Sequence, residues 1–306
     1  MRHLLHRLRR SFAPFPFEEP IFILAPPRSG STFLFECLSR FQELQSLNHE
    51  ADGVWWDLFP YDRKGTADDH VSEEEATPKK VQSLRTRLYL SAVAATASRR
   101  NAHPADLGHR LGVKPLMYLD KTIANCFHLS VLQKGFPDAR YLLLIRDPRA
   151  NISSMIEGWP HVERFGKPQL TDRIRETPEA TVEHWTYPAP PGWEEQLPRP
   201  LPEICAWSWK QHVNQAFDFV QDAKTKSLTI RYEDLRDETR ATIHTVANTF
   251  GLELTTEVKQ VIESSPTSKT TVSEPQPEKW MRKNPEAIQL ILPSVRETAH
   301  KIGYDI

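Results

Sequence analysis

The sequence predicts a three-layer α/β domain in which helices flank a mostly parallel β-sheet. Short apolar segments alternate along the 306-residue chain with segments of helical periodicity, which is typical of this fold class. In addition, polar clusters follow three of the apolar segments, at 26–32, 146–154 and 231–234. Parallel sheets bind ligands beyond the carboxyl ends of their strands. We therefore expect these clusters to mark the functional site.

The individual elements follow from the same patterns. Continuous apolar runs suit strands that helices cover on both faces, and they predict strands at 20–25, 116–121, 139–148 and 227–235. Apolar stripes and good helix formers predict helices at 31–41, 79–100, 123–134, 149–157, 203–223, 238–250 and 286–301. Segments 42–78 and 158–202 show no regular pattern, and we interpret 158–202 as a loop-rich insertion.

Length and charge limit the function classes. A chain of 306 residues with net charge −1 suits one domain over residues 1–306 and has no global attraction to nucleic acid. Anion binding must then come from a local site. The segment 1–19 is a basic tail; it predicts either a peripheral contact with a membrane surface or a solvated terminus. No apolar stretch is long enough to span a bilayer.

The cysteines indicate a reducing compartment. Cys37, Cys126 and Cys205 are far apart and form no CxxC pair, so neither a disulfide framework nor a zinc site is expected. We expect a cytoplasmic protein without a bound metal.

The cluster at 26–32 has the features of an anion-binding loop. It reads "PPRSGST", directly after an apolar run and before a helical segment. The first N–H groups of a helix have no partner within it, and the helix dipole adds positive charge. Gly30 permits close backbone approach, and Arg28 adds a planar cation. Hydroxyl groups come from Ser29, Ser31 and Thr32. The alternative is an ordinary helix cap.

A second anion site is predicted at 146–154, "RDPRANISS". Arg146 leaves the clearest strand of the chain, and Ser154 follows eight residues later on a predicted helix. Together they could grip one phosphate between strand end and helix. Asp147 either caps the helix or holds Arg146. The alternative is a solvated strand end with a local ion pair.

These two motifs resemble those of the sulfotransferases that use 3′-phosphoadenylyl sulfate (PAPS). "PPRSGST" is similar to the 5′-phosphosulfate loop of members with a PRSGTT-type sequence, such as bacterial and tyrosylprotein sulfotransferases. "RDPRANISS" is similar to the 3′-phosphate motif, which implies that Arg146 and Ser154 bind that phosphate. The resemblance implies a P-loop-like fold, PAPS as co-substrate and adenosine 3′,5′-bisphosphate (PAP) as product.

Weaker matches follow in the family's order. "LDKT" at 119–122 implies that Lys121 contacts the sulfonate, and "RYEDL" at 231–235 places Tyr232 near the nucleotide. "SKTTVSEPQPEKW" at 268–280 resembles the loop that covers the nucleotide, which implicates Ser268 and Lys279.

Sulfonate transfer needs cations near the bridging oxygen and one general base. Arg28 and Lys121 suit the first need. Glu50 stands 22 residues after Arg28, where PRSGTT-type members carry their glutamate base, and His49 beside it is the alternative. Adjacent residues of an extended segment point in opposite directions, so we expect only one of the two to face the acceptor.

The acceptor is expected to be a small or lipid-like molecule with a hydroxyl or amine group. Its binding is expected to involve the irregular segments 51–110 and 158–202. Aromatic residues of these segments could line an apolar pocket, although such residues more often serve as packing residues: Trp55, Trp56, Phe59, Trp159, Trp185, Tyr187 and Trp193. The alternatives are a P-loop kinase and a nucleotide-binding protein without activity. The kinase pattern GxxxxGK[ST] lacks its first glycine here, and Ser31 stands in place of its lysine.

Overall fold

A five-stranded parallel sheet forms the centre of the protein. The computed structural model describes residues 15–61, 67–99, 107–263 and 276–306; residues 1–14 of the basic tail and Ser268 lie outside them. The strand order is β2-β3-β1-β4-β5. The strands are β1 (Ile21–Leu24), β2 (Leu44–Gln45), β3 (Met117–Asp120), β4 (Arg140–Ile145) and β5 (Lys226–Arg231).

Helices cover both faces of this sheet, which confirms the predicted three-layer α/β fold. In chain order the described helices are α1 (Ser31–Leu38), α2 (Asp52–Leu58), α3 (Pro78–Arg99), α4 (Leu107–Arg110), α5 (Leu129–Gly135), α6 (Pro148–Gly158), α7 (Val162–Phe165), α8 (Thr171–Arg175), α9 (Leu201–Val220), α10 (Tyr232–Asp237), α11 (Thr239–Phe250), α12 (Thr256–Glu263), α13 (Trp280–Lys283) and α14 (Pro285–Lys301).

Two segments differ from the sequence-based expectation. Segment 42–78 shows no regular sequence pattern, yet it contains β2 and α2. The strand was missed because two residues are too few to display alternation. The helix predicted at 123–134 starts as a 3₁₀ turn, Ile123–Phe127, and becomes α-helical only after His128.

Side chains of the central strands alternate between two hydrophobic cores. Phe22 and Leu24 of β1 join the larger core, which includes residues of α3, α6, α9 and α14. Ile21 and Ile23 point to the other face, where α1 and α11 pack. All four side chains are buried. Because successive side chains of a strand point to opposite faces, a strand covered on both sides is apolar throughout.

The position of β1 places two loops side by side. It pairs with β3 on one side and β4 on the other, with Leu24 opposite Leu143 of β4. β3 and β2 lie on one side of β1, and β4 and β5 lie on the other, so the strand order reverses between β1 and β4. Such a reversal opens a crevice at the carboxyl ends of the strands, and the loops after β1 and β4 border it.

The insertion 158–202 is packed around aromatic side chains. Trp185 and Trp193 are buried in an edge-to-face contact, with ring centroids 4.9 Å apart. A single β-bridge joins Gly166 to Thr186 and closes the segment's central loop. Among the described helices, none has the length and apolarity needed to cross a bilayer.

Candidate active site

The two predicted anion-binding loops meet at a cavity of about 600 Å³ beyond the carboxyl ends of β1, β3 and β4. Arg146, which follows β4, donates a hydrogen bond from Nη1 to the carbonyl oxygen of Arg28 at 2.8 Å. Asn151 of α6 donates to the carbonyl oxygen of Pro27 at 2.7 Å. The loop after β1 is therefore fastened to the segment after β4.

Tyr232 adds the third predicted cluster to the same site. The φ angle of Gly30 is 97°, and a Cβ atom at this position would lie 2.4 Å from a carbon of the Tyr232 ring. The guanidinium of Arg146 stacks on that ring, 4.4 Å from its centroid. Only glycine fits here, because a side chain would clash with the Tyr232 ring and would be strained at this left-handed φ.

Arg28 and Arg146 are partly desolvated cations close to one another. Burial lowers the pKa of both groups, and the nearby charge of Arg146 lowers that of Arg28 further. The Nε atom of Arg146 is buried and has no hydrogen-bond partner among the described residues. Arg28 also has a φ of 64°, a strained angle for a residue with a side chain. A strained backbone and a buried N–H group without a partner are both typical of ligand-binding sites.

The cavity as a whole is positively charged. Among its described lining residues, the cations Arg28, Lys121, Arg146, Arg164, Lys167, Arg236 and Lys279 outnumber the acids Glu50, Asp52 and Glu157. The chain carries a net charge of −1, so this excess is local. An excess of cations on concave walls attracts an anionic ligand.

Glu50 is held against the end of β3. Its Oε1 pairs with the ammonium of Lys121, and its Oε2 accepts from the backbone N–H of Ile123 at 3.4 Å. The hydroxyl of Thr122 accepts from the backbone N–H of Ala51 at 2.7 Å. These contacts fix the 50–51 segment beside the cavity, although it lies far from β3 in the sequence.

His49 and Glu50 both line the cavity, and the expectation that only one of them faces the acceptor stays a prediction. That expectation assumed an extended segment, but Asn48 has a φ of 73° and bends the chain. His49 Nδ1 lies 2.7 Å from the carbonyl oxygen of Glu50, which leaves Nε2 directed away from this contact. The geometry leaves both residues as candidates for the base.

The remaining predicted site residues divide into two groups. Ser31, Thr32, Ser154 and Lys279 line the cavity with those above. The neighbouring Ser153 has a structural contact that Ser154 does not share: its hydroxyl accepts a hydrogen bond from the Asn284 side chain at 2.8 Å. Ser29 is fully buried and is not part of the cavity wall. Ser268 lies outside the described residues.

The structure divides the aromatic residues between the cavity and the core. Of the residues considered for the acceptor site, Trp56 and Tyr187 line the cavity. The others belong to the hydrophobic core: Trp55, Phe59, Trp159, Trp185 and Trp193. Trp55, for example, stacks on His128 at a centroid distance of 3.9 Å. Large aromatic side chains are used in cores and in pockets alike, so their presence in the sequence did not indicate which way they point.

Comparisons with known proteins agree with this architecture. A family model described as the sulfotransferase family matches residues 20–257. The chain belongs to the sulfotransferase family. No curated protein matches its sequence at a significant level.

Solved sulfotransferase structures are similar to this chain, and one of them superposes with a TM-score above 0.5. The sulfotransferase STF9 from Mycobacterium avium superposes with a TM-score of 0.52 at 14% identity, over 100% of this chain and 81% of that one. A sulfotransferase from Alicyclobacillus acidocaldarius gives a TM-score of 0.46 at 14% identity, over 94% and 97% of the two chains. Mouse SULT7A1 complexed with PAP gives 0.41 at 16% identity, over 90% and 73%.

The structure also reveals site residues that the sequence did not indicate. Asp52 of α2 and Lys167 of the insertion line this sulfotransferase cavity. Arg164, Glu157 and Arg236 do so as well. None belongs to a recognisable motif, and Asp52 and Lys167 are brought together only by tertiary folding. The one available signal was local: Asp52 closely follows the candidate bases.

Gly158, the last residue of α6, sets a steric limit at the cavity wall. A Cβ atom there would lie 2.2 Å from the hydroxyl of Tyr187 and 3.3 Å from Nε of Arg28. Tyr187 cannot easily move, because it donates to the carbonyl oxygen of Met155 at 3.0 Å. We expect Gly158→Ala to reduce the free energy of unfolding by about 1–3 kcal/mol, measured by urea denaturation.

A helical glycine elsewhere provides the control. A Cβ atom at Gly53 of α2 would meet no atom within 4 Å. Gly53→Ala should be neutral, or stabilising by up to about 1 kcal/mol, because alanine favours helix. Equal effects of the two substitutions would contradict the steric argument.

Proposed function

We propose that this protein transfers a sulfonate group from PAPS to a hydroxyl or amine group of a small or lipid-like acceptor. One observation carries the proposal: the two predicted anion-binding loops are in direct contact and border one positively charged cavity. A donor with an anion at each end of its adenosine needs two such sites within the length of one nucleotide. Membership of the sulfotransferase family supports the same reaction.

The donor is assigned to the cavity residues by chemical type. Arg146 and Ser154 would hold the 3′-phosphate, since Arg146 has an unused Nε donor and a fork geometry suited to phosphate. The loop Arg28–Thr32 would hold the 5′-phosphosulfate at the N-terminus of α1. Tyr232 and Lys279 would flank the nucleotide from α10 and from the residue before α13.

The reaction forms one bond and breaks one. The acceptor oxygen or nitrogen bonds to sulfur, and the bond between sulfur and the bridging phosphate oxygen breaks, leaving its electron pair on PAP. The acceptor proton passes to the base, Glu50 or His49. Arg28 and Lys121 would stabilise the charge that develops on the leaving oxygen, which is the larger part of catalysis in related group transfers.

The Glu50–Lys121 ion pair suits these two roles, proton acceptance by Glu50 and charge stabilisation by Lys121. Lys121 is 8% exposed, so its ammonium is held in place rather than free in solvent. Donor binding would give Lys121 a second anion to contact, which frees part of the Glu50 carboxylate to accept the acceptor's proton. The pair would thus place a proton acceptor, Glu50, and a cation that stabilises negative charge, Lys121, beside the reacting sulfur.

Ligand-induced stabilisation tests the donor assignment. PAP should raise the melting temperature of the protein in the absence of metal, because a ligand that binds only the folded state stabilises it. Transfer of radiolabelled sulfonate from PAPS to simple alcohols would then establish the reaction. Stabilisation by ATP with Mg²⁺, but not by PAP, would favour the kinase alternative and overturn the proposal.

A further inference from the structure

A charged pair faces the cavity beside the candidate bases and takes no part in the proposed chemistry. Asp52 begins α2, two residues after Glu50, and Lys167 lies between α7 and the 3₁₀ turn Pro168–Leu170. Both side chains line the cavity. Their closest approach is 3.6 Å, between Lys167 Nζ and Asp52 Oδ2. That separation is long for a hydrogen bond, so the two groups form a loose ion pair whose donors and acceptors are only partly used.

Both groups have unused hydrogen-bonding capacity. The side chain of Lys167 is 5% exposed, and its ammonium has no closer polar partner among the described residues than the Asp52 carboxylate at 3.6 Å. It rests instead over the ring of Trp56, 4.7 Å from the centroid. Oδ1 of Asp52 is buried and likewise has no hydrogen-bond partner in the described parts of the chain. Buried polar groups normally have partners, which indicates that a bound molecule supplies them here.

The neighbouring acid Asp69 is already satisfied and does not take this role. It accepts from the hydroxyl of Tyr61 at 2.9 Å and from the backbone N–H of Ala189 at 2.7 Å. Its charge nevertheless acts on Lys167. Although burial lowers the pKa of Lys167, the combined attraction of Asp69, Asp52 and Glu50 outweighs that effect and raises it. Lys167 is therefore a charged donor.

The chemistry of the pair selects a hydroxyl group. A hydroxyl can accept from the Lys167 ammonium and donate to the Asp52 carboxylate at the same time. A second amine in its charged form could only donate, and Lys167 would repel it. A carboxylate or phosphate would be repelled by Asp52 and Glu50. Because the two groups are only 3.6 Å apart, one oxygen atom on their cavity side can lie within hydrogen-bond distance of both, as a bridging water does.

We propose that Asp52 and Lys167 bind a second hydroxyl group of the acceptor, so that the preferred acceptor is a polyhydroxylated alcohol. The inference rests on the proposed function and adds the acceptor class to it. The reacting hydroxyl lies at Glu50 or His49, the second at Asp52 and Lys167, and the carbon chain beside Trp56. Burial raises the pKa of Asp52 to about 6 despite the nearby Lys167, and perturbed carboxyl groups of this kind cluster at functional sites.

A matched pair of acceptors tests the inference. With PAPS as donor, we expect kcat/KM for hexane-1,2-diol to exceed that for hexan-1-ol by about 10- to 100-fold, as for hydrogen bonds to charged groups. 2-Aminohexan-1-ol should not share this advantage at neutral pH. Asp52→Asn and Lys167→Met should remove the preference, because KM should rise much more for the diol than for hexan-1-ol.

Asp57→Asn is the matched control. Asp57 lies on the same helix and also pairs with a cation, Arg87, at 2.8 Å, but on the exposed surface away from the cavity. It should retain the full diol preference. If Asp52→Asn instead slows both acceptors equally and lowers the melting temperature, the pair merely fastens α2 to the insertion and the inference is wrong.

Direct binding separates this inference from the proposed function. Saturation-transfer NMR with PAP present requires no turnover and can compare hexane-1,2-diol with hexan-1-ol. Tighter binding of the diol that Asp52→Asn abolishes supports the subsite even where no transfer occurs. Equal binding of the two alcohols overturns the subsite, whereas sulfonate transfer to hexan-1-ol would still support the proposed function.

Discussion

Replacing Glu50 with glutamine is expected to reduce kcat by about 10²- to 10⁴-fold, the usual contribution of a general base. The substitution keeps the size of the side chain and removes its ability to accept a proton. The amide oxygen can keep one of the two contacts of the carboxylate, with Lys121 or with the backbone N–H of Ile123, and the amide NH2 then faces the other donor. Glu50 is not among the residues assigned to the nucleotide, so PAP should still stabilise the variant about as much as it stabilises the unmodified protein. Steady-state transfer from PAPS, with the PAP-induced thermal shift, measures both quantities.

His49→Asn decides between the two candidate bases. If Glu50 is the base, this variant keeps most of the activity, because His49 then only borders the cavity. A loss of about 10²-fold or more in His49→Asn, with little loss in Glu50→Gln, would reverse the assignment. Full activity in both variants would remove both residues from the chemistry and leave the proton acceptor elsewhere.

The sequence was most informative where local patterns determine the structure. β1 and β4 are buried on both faces, so their apolar runs stand out, and the two anion loops follow them directly. The loop after β1 needs a glycine at position 30 because Tyr232 packs against it. That glycine is visible in the sequence, although the tyrosine that requires it is not. Motif, strand end and helix start are all contiguous in the chain, which is why they could be recognised.

Features that depend on distant contacts could not be predicted. Lys167 comes from the insertion, meets Asp52 from α2, and has no motif around it. The bend at Asn48, which directs both His49 and Glu50 to the cavity, is likewise a backbone detail without a sequence signature. The aromatic residues could not be assigned to core or cavity from the sequence for a third reason. Aromatic side chains are common both in the hydrophobic core and on cavity walls. Only the packing of the folded chain determines which of the two places each one occupies.

Arg146→Ala is expected to weaken PAP binding by about 10- to 150-fold, as for the loss of a hydrogen-bonded charge, and to abolish most of the PAP-induced thermal shift. Two effects act together. The variant loses the guanidinium that would hold the 3′-phosphate, and it loses the hydrogen bond from Nη1 to the carbonyl oxygen of Arg28. The second loss releases the loop that would hold the 5′-phosphosulfate. Arg146→Lys should be intermediate, because it keeps the charge without the fork geometry.

Arg231→Ala separates this effect from general destabilisation. Arg231 also stacks on a tyrosine ring, 4.6 Å from the centroid of Tyr304, and also donates to a carbonyl oxygen, that of Gly303 at 2.6 Å. It does not line the cavity. Both variants should melt at a lower temperature without ligand, but only Arg146→Ala should lose the response to PAP. An equal response in the two variants would show that Arg146 supports the fold without binding the donor, and the proposed clasp of one nucleotide by two strand ends would fail.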